Sequence, residues 1–179
     1  MVYFFLAEGF EEIEALCPVD LCRRAGIDAR TVSITDSREV TGSHGITVLA
    51  DMTAEDTLGD FDMIVLPGGM PGTTNLDASP LVQGAIDRAL AEGKYIAAIC
   101  AAPMVLGKRG ILRGKEAICF PGFEQYLTGA TVSKNKVVPD GKILTAAGMG
   151  VSHDFGLAIV EIFKGKETAE NLGSTVLYK

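Results

Sequence analysis

The 179-residue chain predicts an α/β fold: a flavodoxin-like, doubly wound, mostly parallel sheet with helices on both faces. Three observations predict it. Val2 to Ala7, Met63 to Leu66 and Tyr95 to Ile99 are short, continuously apolar runs, which suit strands buried on both faces. Segments of helical period separate these runs, so strand and helix alternate along the chain. Glycine, proline or a polar cap punctuates most of the boundaries.

Val2 to Ala7 is the first strand. Glu11 to Ala25 follows as a helix, with Ile13, Leu16, Cys17 and Leu21 assigned to its apolar face and Gly26 as its stop. Ala29 to Ile34 is the second strand, and Val40 to Ala50 forms strands about a Gly42-Ser43-His44-Gly45 turn. Met63 to Leu66 runs into Pro67-Gly68-Gly69. Ser79 caps a helix that opens at Pro80 and stops at Gly93. Tyr95 to Ile99 ends at Cys100, and a short helix spans Pro103 to Lys108. Ala117 to Phe120 and Ile143 to Ala146 are later strands, with a hairpin turn over Val137 to Lys142. His153 to Phe163 is a helix and Glu167 opens another. No linker or repeat divides the chain, so residues 1–179 are expected to form one domain.

The formal net charge of −7 disfavours a nucleic-acid partner, which needs a basic stripe. No apolar run approaches the roughly 20 residues that span a bilayer, and no signal peptide is visible. A cytoplasmic protein without a membrane partner is expected. The four cysteines form no C-x-x-C pair and there are two histidines, so no metal site is assigned. A disulfide framework is not expected in such a compartment.

Chemistry concentrates at Cys100. A buried strand turns into a helix at this residue, the geometry of a nucleophile elbow. The small Ala101 and Ala102 permit the tight turn. The N–H groups and partial positive charge of the following helix favour thiolate, so the Cys100 pKa is expected to fall. Gly68 and Gly69 end a neighbouring strand and bring bare backbone N–H groups toward an oxyanion. Glu11 and Glu12 are assigned to a solvated helix start. Glu14 lies four residues before Pro18, which has no N–H to give the Glu14 carbonyl. A kink is therefore expected there, turning Glu14 toward Cys100 as its acid and base.

These segments also carry a family resemblance. Glu11-Glu12-Ile13-Glu14-Ala15, Pro18-Val19-Asp20, Arg23-Arg24-Ala25-Gly26-Ile27, Val65-Leu66-Pro67-Gly68-Gly69 and Ala97-Ala98-Ile99-Cys100-Ala101-Ala102-Pro103 occur in order. Gly148-x-Gly150, Phe155 to Glu161 and Gly165-Lys166-Glu167 complete the set. The whole chain resembles the ThiJ/PfpI family of the class I glutamine amidotransferase-like superfamily. Within it, the chain is similar to the branch of the Parkinson-disease protein and its bacterial homologues.

The resemblance implies a homodimer with Cys100 and Glu14 as catalytic residues and the backbone of Gly69 and Ala101 as oxyanion donors. It implies a cofactor-free enzyme acting on small aldehydes, a glyoxalase III-type conversion of methylglyoxal or glyoxal to a hydroxy acid, or a protein deglycase. The alternative is a non-enzymatic oxidative-stress sensor or redox-regulated chaperone using the same cysteine. Protease-type relatives place His after the elbow cysteine, where this chain has Ala101, so a peptidase is disfavoured. The human relative has a His where this chain has Phe120 and an arginine where it has His44. Gly68, His44, Phe120 and His153 are assigned to the pocket edge, with a surface turn as the other reading of His44 and helix capping that of His153.

Overall fold

The computed structural model describes residues 1–56 and 58–178. One six-stranded sheet organises them, in the order β2-β1-β5-β6-β10-β9. The strands are β1 (Val2–Leu6), β2 (Ala29–Ser33), β5 (Met63–Leu66), β6 (Tyr95–Ile99), β9 (Val137–Asp140) and β10 (Ile143–Ala146). Neighbours pair in parallel except at the edge, where β9 runs antiparallel to β10. Small hairpin strands β3 (Glu39–Thr41) and β4 (Thr47–Leu49) and a two-residue pair, β7 (Glu116–Ala117) with β8 (Thr131–Val132), lie outside the sheet.

The continuous apolar runs are explained by burial on both faces. On β1, Tyr3 and Phe5 join one core cluster while Val2 and Phe4 join the other. β5 and β6 divide the same way, with Ile64 and Ile96 on one face and Val65 and Ala97 on the opposite one. Each such large side chain contributes about 1.5–3 kcal/mol of transfer free energy. The first face is covered by α2 (Gly72–Ala78), α3 (Pro80–Ala91) and α4 (Pro103–Lys108). The second is covered by α1 (Glu12–Arg24), α5 (Ser152–Lys164) and α6 (Lys166–Thr175). At the α1–α5 crossing, a Cβ on Gly156 would stand 2.7 Å from Leu21 Cδ1 and 3.0 Å from Pro18 Cα. Only glycine allows that approach.

Several elements depart from the expectation. α1 runs unbroken through Pro18. Its buried residues are Glu12, Glu14, Ala15, Pro18, Val19, Leu21 and Cys22, whereas Ile13 is exposed and Leu16 and Cys17 are half-buried. Glu14 thus points inward because it shares the stripe of Pro18 and Cys22 at four-residue steps. α2 was not expected, since Gly72-Thr73-Thr74-Asn75 is poor in helix formers. The strand expected over Ala117 to Phe120 stops at Ala117, because Ile118 N donates to Thr145 Oγ1 and Phe120 N to the Cys100 carbonyl. The hairpin expected over Val137 to Lys142 is present, with its turn at 141–142 and residues 137–140 forming strand β9, where Pro139 is tolerated because β9 is an edge.

β1, β5 and β6 are adjacent and parallel. Their carboxyl ends therefore deliver residues 8–14, Pro67 to Gly69 and Cys100 to one side of the sheet. Strand order reverses between β1 and β5, where open α/β sheets form their crevice.

Candidate active site

Cys100 occupies the corner between β6 and α4 with φ of 64°, one of two non-glycine residues in the left-handed region among the described residues. Two backbone bonds hold it there: its N–H donates to the Ala146 carbonyl at 2.9 Å and its carbonyl accepts from Phe120 N at 2.8 Å. The elbow expected from the sequence is thus a strained backbone held by its neighbours. Ala101 and Ala102 are buried and leave room for the turn.

Glu14 is fully buried. Its Oε2 accepts a 2.9 Å hydrogen bond from Gly68 N, and the buried Oε1 has no hydrogen-bond partner. The carboxyl lies beside the Cys100 thiol, and each shifts the titration of the other. Gly68 lies between the two, where a Cβ would stand 2.5 Å from Glu14 Oε2 and 2.6 Å from Cys100 Cβ. Gly69 has φ of 88°, and a Cβ there would stand 2.4 Å from Glu11 N. Both glycines are required by close approach. The N–H groups of Ala101 and Gly69 favour the thiolate of Cys100.

The electrostatics reverse one expectation. Burial pushes the Cys100 thiol up to about 12, and the charge and hydrogen bond of Glu14 act in the same direction, against the Ala101 and Gly69 N–H groups. α4 is a six-residue helix with a correspondingly small dipole, so it does not offset burial beside a carboxylate. Burial likewise raises Glu14 to about 7, opposed by its bonds from the thiol and from Gly68 N and aided by the Glu11 charge. Near neutral pH the labile proton of the pair is therefore on the carboxyl. A thiolate arises when Glu14 accepts the sulfur proton, and the two N–H groups then stabilise it.

The other assigned residues divide. Phe120 lies beside the sulfur: a Cβ on Gly148 would stand 3.1 Å from Phe120 Cδ2 and 3.9 Å from Cys100 Sγ. His44 joins a different cluster. Its Nδ1 lies 3.1 Å from Glu12 Oε2 and 3.6 Å from Glu11 Oε1, and its N–H donates to Glu12 Oε1 at 2.8 Å. Glu12 is therefore not solvated as expected; it is 5% exposed, covered by the turn after β3. His153 neither caps α5 nor reaches Cys100, and its ring stacks on Tyr178 at 4.7 Å. Among the described residues, Glu11, Glu12 and His44 are grouped with ligand-type atoms within 4.8 Å of one another, and the ion pair and turn hydrogen bonds occupy those atoms.

Gly148 was missed as a wall of the site, although Gly148-x-Gly150 is conspicuous in the chain. With Phe120 and Met149 it lines a cavity of about 330 Å³ beside Cys100. No helix among the described residues is long and apolar enough to cross a membrane.

Comparison with known proteins bears on this geometry. The profile of the DJ-1/PfpI family matches residues 1–162. Protein DJ-1 homolog A of Arabidopsis thaliana is 36% identical over 178 residues, 97% of this chain and 45% of that protein. The chain therefore spans less than half of this longer relative. Protein dj-1beta of Drosophila melanogaster is 35% identical over 175 residues, covering 96% of this chain and 94% of that protein. A DJ-1 superfamily protein from Salmonella typhimurium, solved as a cysteine-to-alanine mutant, aligns with a TM-score of 0.94 at 34% identity over 99% of this chain and 98% of that one. A Caenorhabditis elegans protein named glutathione-independent glyoxalase DJR-1.2 is 29% identical over 168 residues, covering 92% of this chain and 89% of that protein.

Proposed function

Because the chain belongs to the DJ-1/PfpI family, we propose that it is a cysteine-dependent enzyme converting small 2-oxoaldehydes such as methylglyoxal to hydroxy acids. The observation that carries this reading is the buried Glu14–Cys100 pair beneath the Gly69 and Ala101 N–H groups. The relative named as a glutathione-independent glyoxalase supports the same class of chemistry.

The reaction follows from the pair. Glu14 carboxylate accepts the thiol proton as sulfur bonds to the aldehyde carbon and the carbonyl electron pair moves to oxygen. The Gly69 and Ala101 N–H groups steady that oxyanion, which takes the proton back and becomes a hemithioacetal. Glu14 then removes the proton from the former aldehyde carbon, giving an enediolate, and returns it to the adjacent carbon while the hydroxyl proton of the first carbon passes to the second oxygen. This internal redox step leaves a thioester and a secondary alcohol. Water cleaves the S–C bond, the sulfur regains a proton, and methylglyoxal plus water has become lactate.

The test is lactate formation from methylglyoxal in the absence of glutathione. Catalytic turnover that disappears in Cys100→Ser supports the reading, and absence of turnover overturns it. The oxidative-stress reading rests on the partial exposure of the same sulfur beside a carboxyl that is half protonated near pH 7 and able to donate to a sulfinate. Stoichiometric oxidation without turnover would favour it.

A homodimer belongs to the same proposal. Ile13 on α1 and Ile46 and Leu49 on the hairpin are exposed apolar side chains near the Glu12–His44 contact. Sedimentation that shows a stable monomer at micromolar concentration, unchanged by Leu49→Glu, would remove it.

A further inference from the structure

The cavity beside Cys100 has one chemical asymmetry that the mechanism does not use. Phe120, Pro121, Met149 and Val151 give it apolar walls, and Lys136 is its one charged lining residue. Lys136 is exposed and forms no ion pair with any described residue. Lys115 pairs with Asp140 on β9, whereas Lys134 also forms no ion pair with a described residue but does not line the cavity. An unpaired ammonium at the rim of a cleft, in a chain of net charge −7, is a local attraction for anions that the rest of the surface opposes. The Lys136 carbonyl accepts from Ala147 N at 2.8 Å. That bond fixes the base of the side chain beside β10, whose next residues lead to Gly148 and the sulfur.

We infer that Lys136 forms an anion subsite, so that the preferred substrate is a 2-oxoaldehyde carrying a carboxylate or phosphate beyond the dicarbonyl. The inference rests on the aldehyde reading of Cys100. The apolar walls accommodate the carbon chain, the dicarbonyl meets Cys100, and the anionic end meets the ammonium. The attraction also acts on the hydroxy-acid product, so Lys136 slows product release as well as aiding capture. A cavity of about 330 Å³ accommodates a chain of roughly five or six heavy atoms beyond the reacting carbon.

Two arms test this. In the first, Cys100 is alkylated by iodoacetate or by iodoacetamide, which are alike in size and differ in charge, and modification of the Cys100 peptide is followed by mass spectrometry. The ratio of the two rates should fall about three- to tenfold in Lys136→Met and further in Lys136→Glu, and should be retained in Lys136→Arg. Added salt near about 0.5 M should erase the difference. Lys136 is a surface side chain, so these variants should fold. An unchanged ratio in Lys136→Met overturns the subsite whatever the enzyme turns over.

In the second arm, kcat/KM is compared for methylglyoxal, for 4,5-dioxopentanoate (to 2-hydroxyglutarate) and for hydroxypyruvaldehyde phosphate. A preference for either anionic substrate that is lost in Lys136→Met supports the subsite, and the better of the two identifies the anionic group. A preference for neutral methylglyoxal that Lys136→Met leaves in place overturns it. Failure of the aldehyde reading itself shows separately, as absence of turnover of all three.

Discussion

Glu12 and Glu14 are two residues apart on the first turn of α1 and both are buried, yet they titrate in opposite directions. Burial pushes Glu12 upward, but its own backbone N–H, the His44 ring and the N–H groups of His44 and Ile46 outweigh it and hold its carboxyl below the usual range. Deeper burial pushes Glu14 up to about 7, opposed by the neighbouring thiol and the Gly68 N–H and aided by the Glu11 charge. Deeper burial and fewer donors together separate the carboxyl poised to move protons from the structural carboxylate. Glu12 fastens the hairpin to the helix, and Glu14 retains a vacant valence beside sulfur.

The largest expected effect breaks the Glu14 side of this contrast. Cys100→Ser should abolish methylglyoxal turnover, and Glu14→Gln, which preserves shape but cannot exchange a proton, should lower it roughly 10²–10⁴-fold. Glu11→Gln and Glu12→Gln should change it little. Since the carboxylate accepts the sulfur proton, the rate in the unaltered protein should rise with pH through about 7. Lactate formation measured across pH checks both points, and a near-native Glu14→Gln would move the acid–base role elsewhere.

Gly68→Ala should follow in size. Its Cβ would stand 2.5 Å from Glu14 Oε2 and 2.6 Å from Cys100 Cβ, and displacement of the pair should cost about 10²-fold in turnover. Iodoacetamide labelling of Cys100 separates this from misfolding.

Stability against pH sharpens the comparison. A carboxyl raised from 4.5 to about 7 in the folded state binds more protons folded than unfolded across that window. Its contribution is complete below pH 4.5 and is lost as pH rises through about 7, by roughly 3 kcal/mol. Glu12, held low, contributes stability above pH 4.5 that is lost as pH falls through its folded value. Urea midpoints at pH 5 and pH 8 should therefore show Glu14→Gln gaining on the unaltered protein at the higher pH. Equal differences at the two pH values would count against the burial argument.

The smallest effect is spectroscopic. The bond to Glu12, then the Glu11 and Glu12 charges, raise His44 above 6.5. With two histidines in the chain, their ring protons should be separable by NMR, and the His44 midpoint should return toward 6.5 in Glu12→Gln. A midpoint that does not move would separate His44 from Glu12 in solution.

Much of the architecture was legible because doubly buried strands have few sequence alternatives. Val2 to Leu6, Met63 to Leu66 and Tyr95 to Ile99 have no polar face to confuse with a loop or an amphipathic helix. Placement of Cys100 followed from the strand ending there, and placement of Glu14 followed from the motif. The helix continues through Pro18, and position on the Pro18–Cys22 stripe is enough to turn Glu14 inward. What was not legible depends on long-range partners. The rise of the Cys100 pKa requires knowing that a carboxylate lies across from the sulfur. Burial of Glu12 requires the 42–46 turn to fold over it, and the short β7 depends on Thr145 capturing Ile118 N. No local pattern encodes these bonds.

The contact between Gly156 and Pro18 has a mechanical consequence. Backbone lies almost directly on backbone there, so α1 rests on α5 as a rod on a fulcrum, one helical turn from the residue that carries the acid. Glu14 is positioned by the seating of a whole helix more than by the side chains around its carboxyl. A single added methyl at residue 156 would tilt the rod and change the reach of the acid toward sulfur without altering any atom that a substrate meets. The tuning of this chemistry is thus open to substitutions on the far side of the helix, where nothing in the pocket reports them.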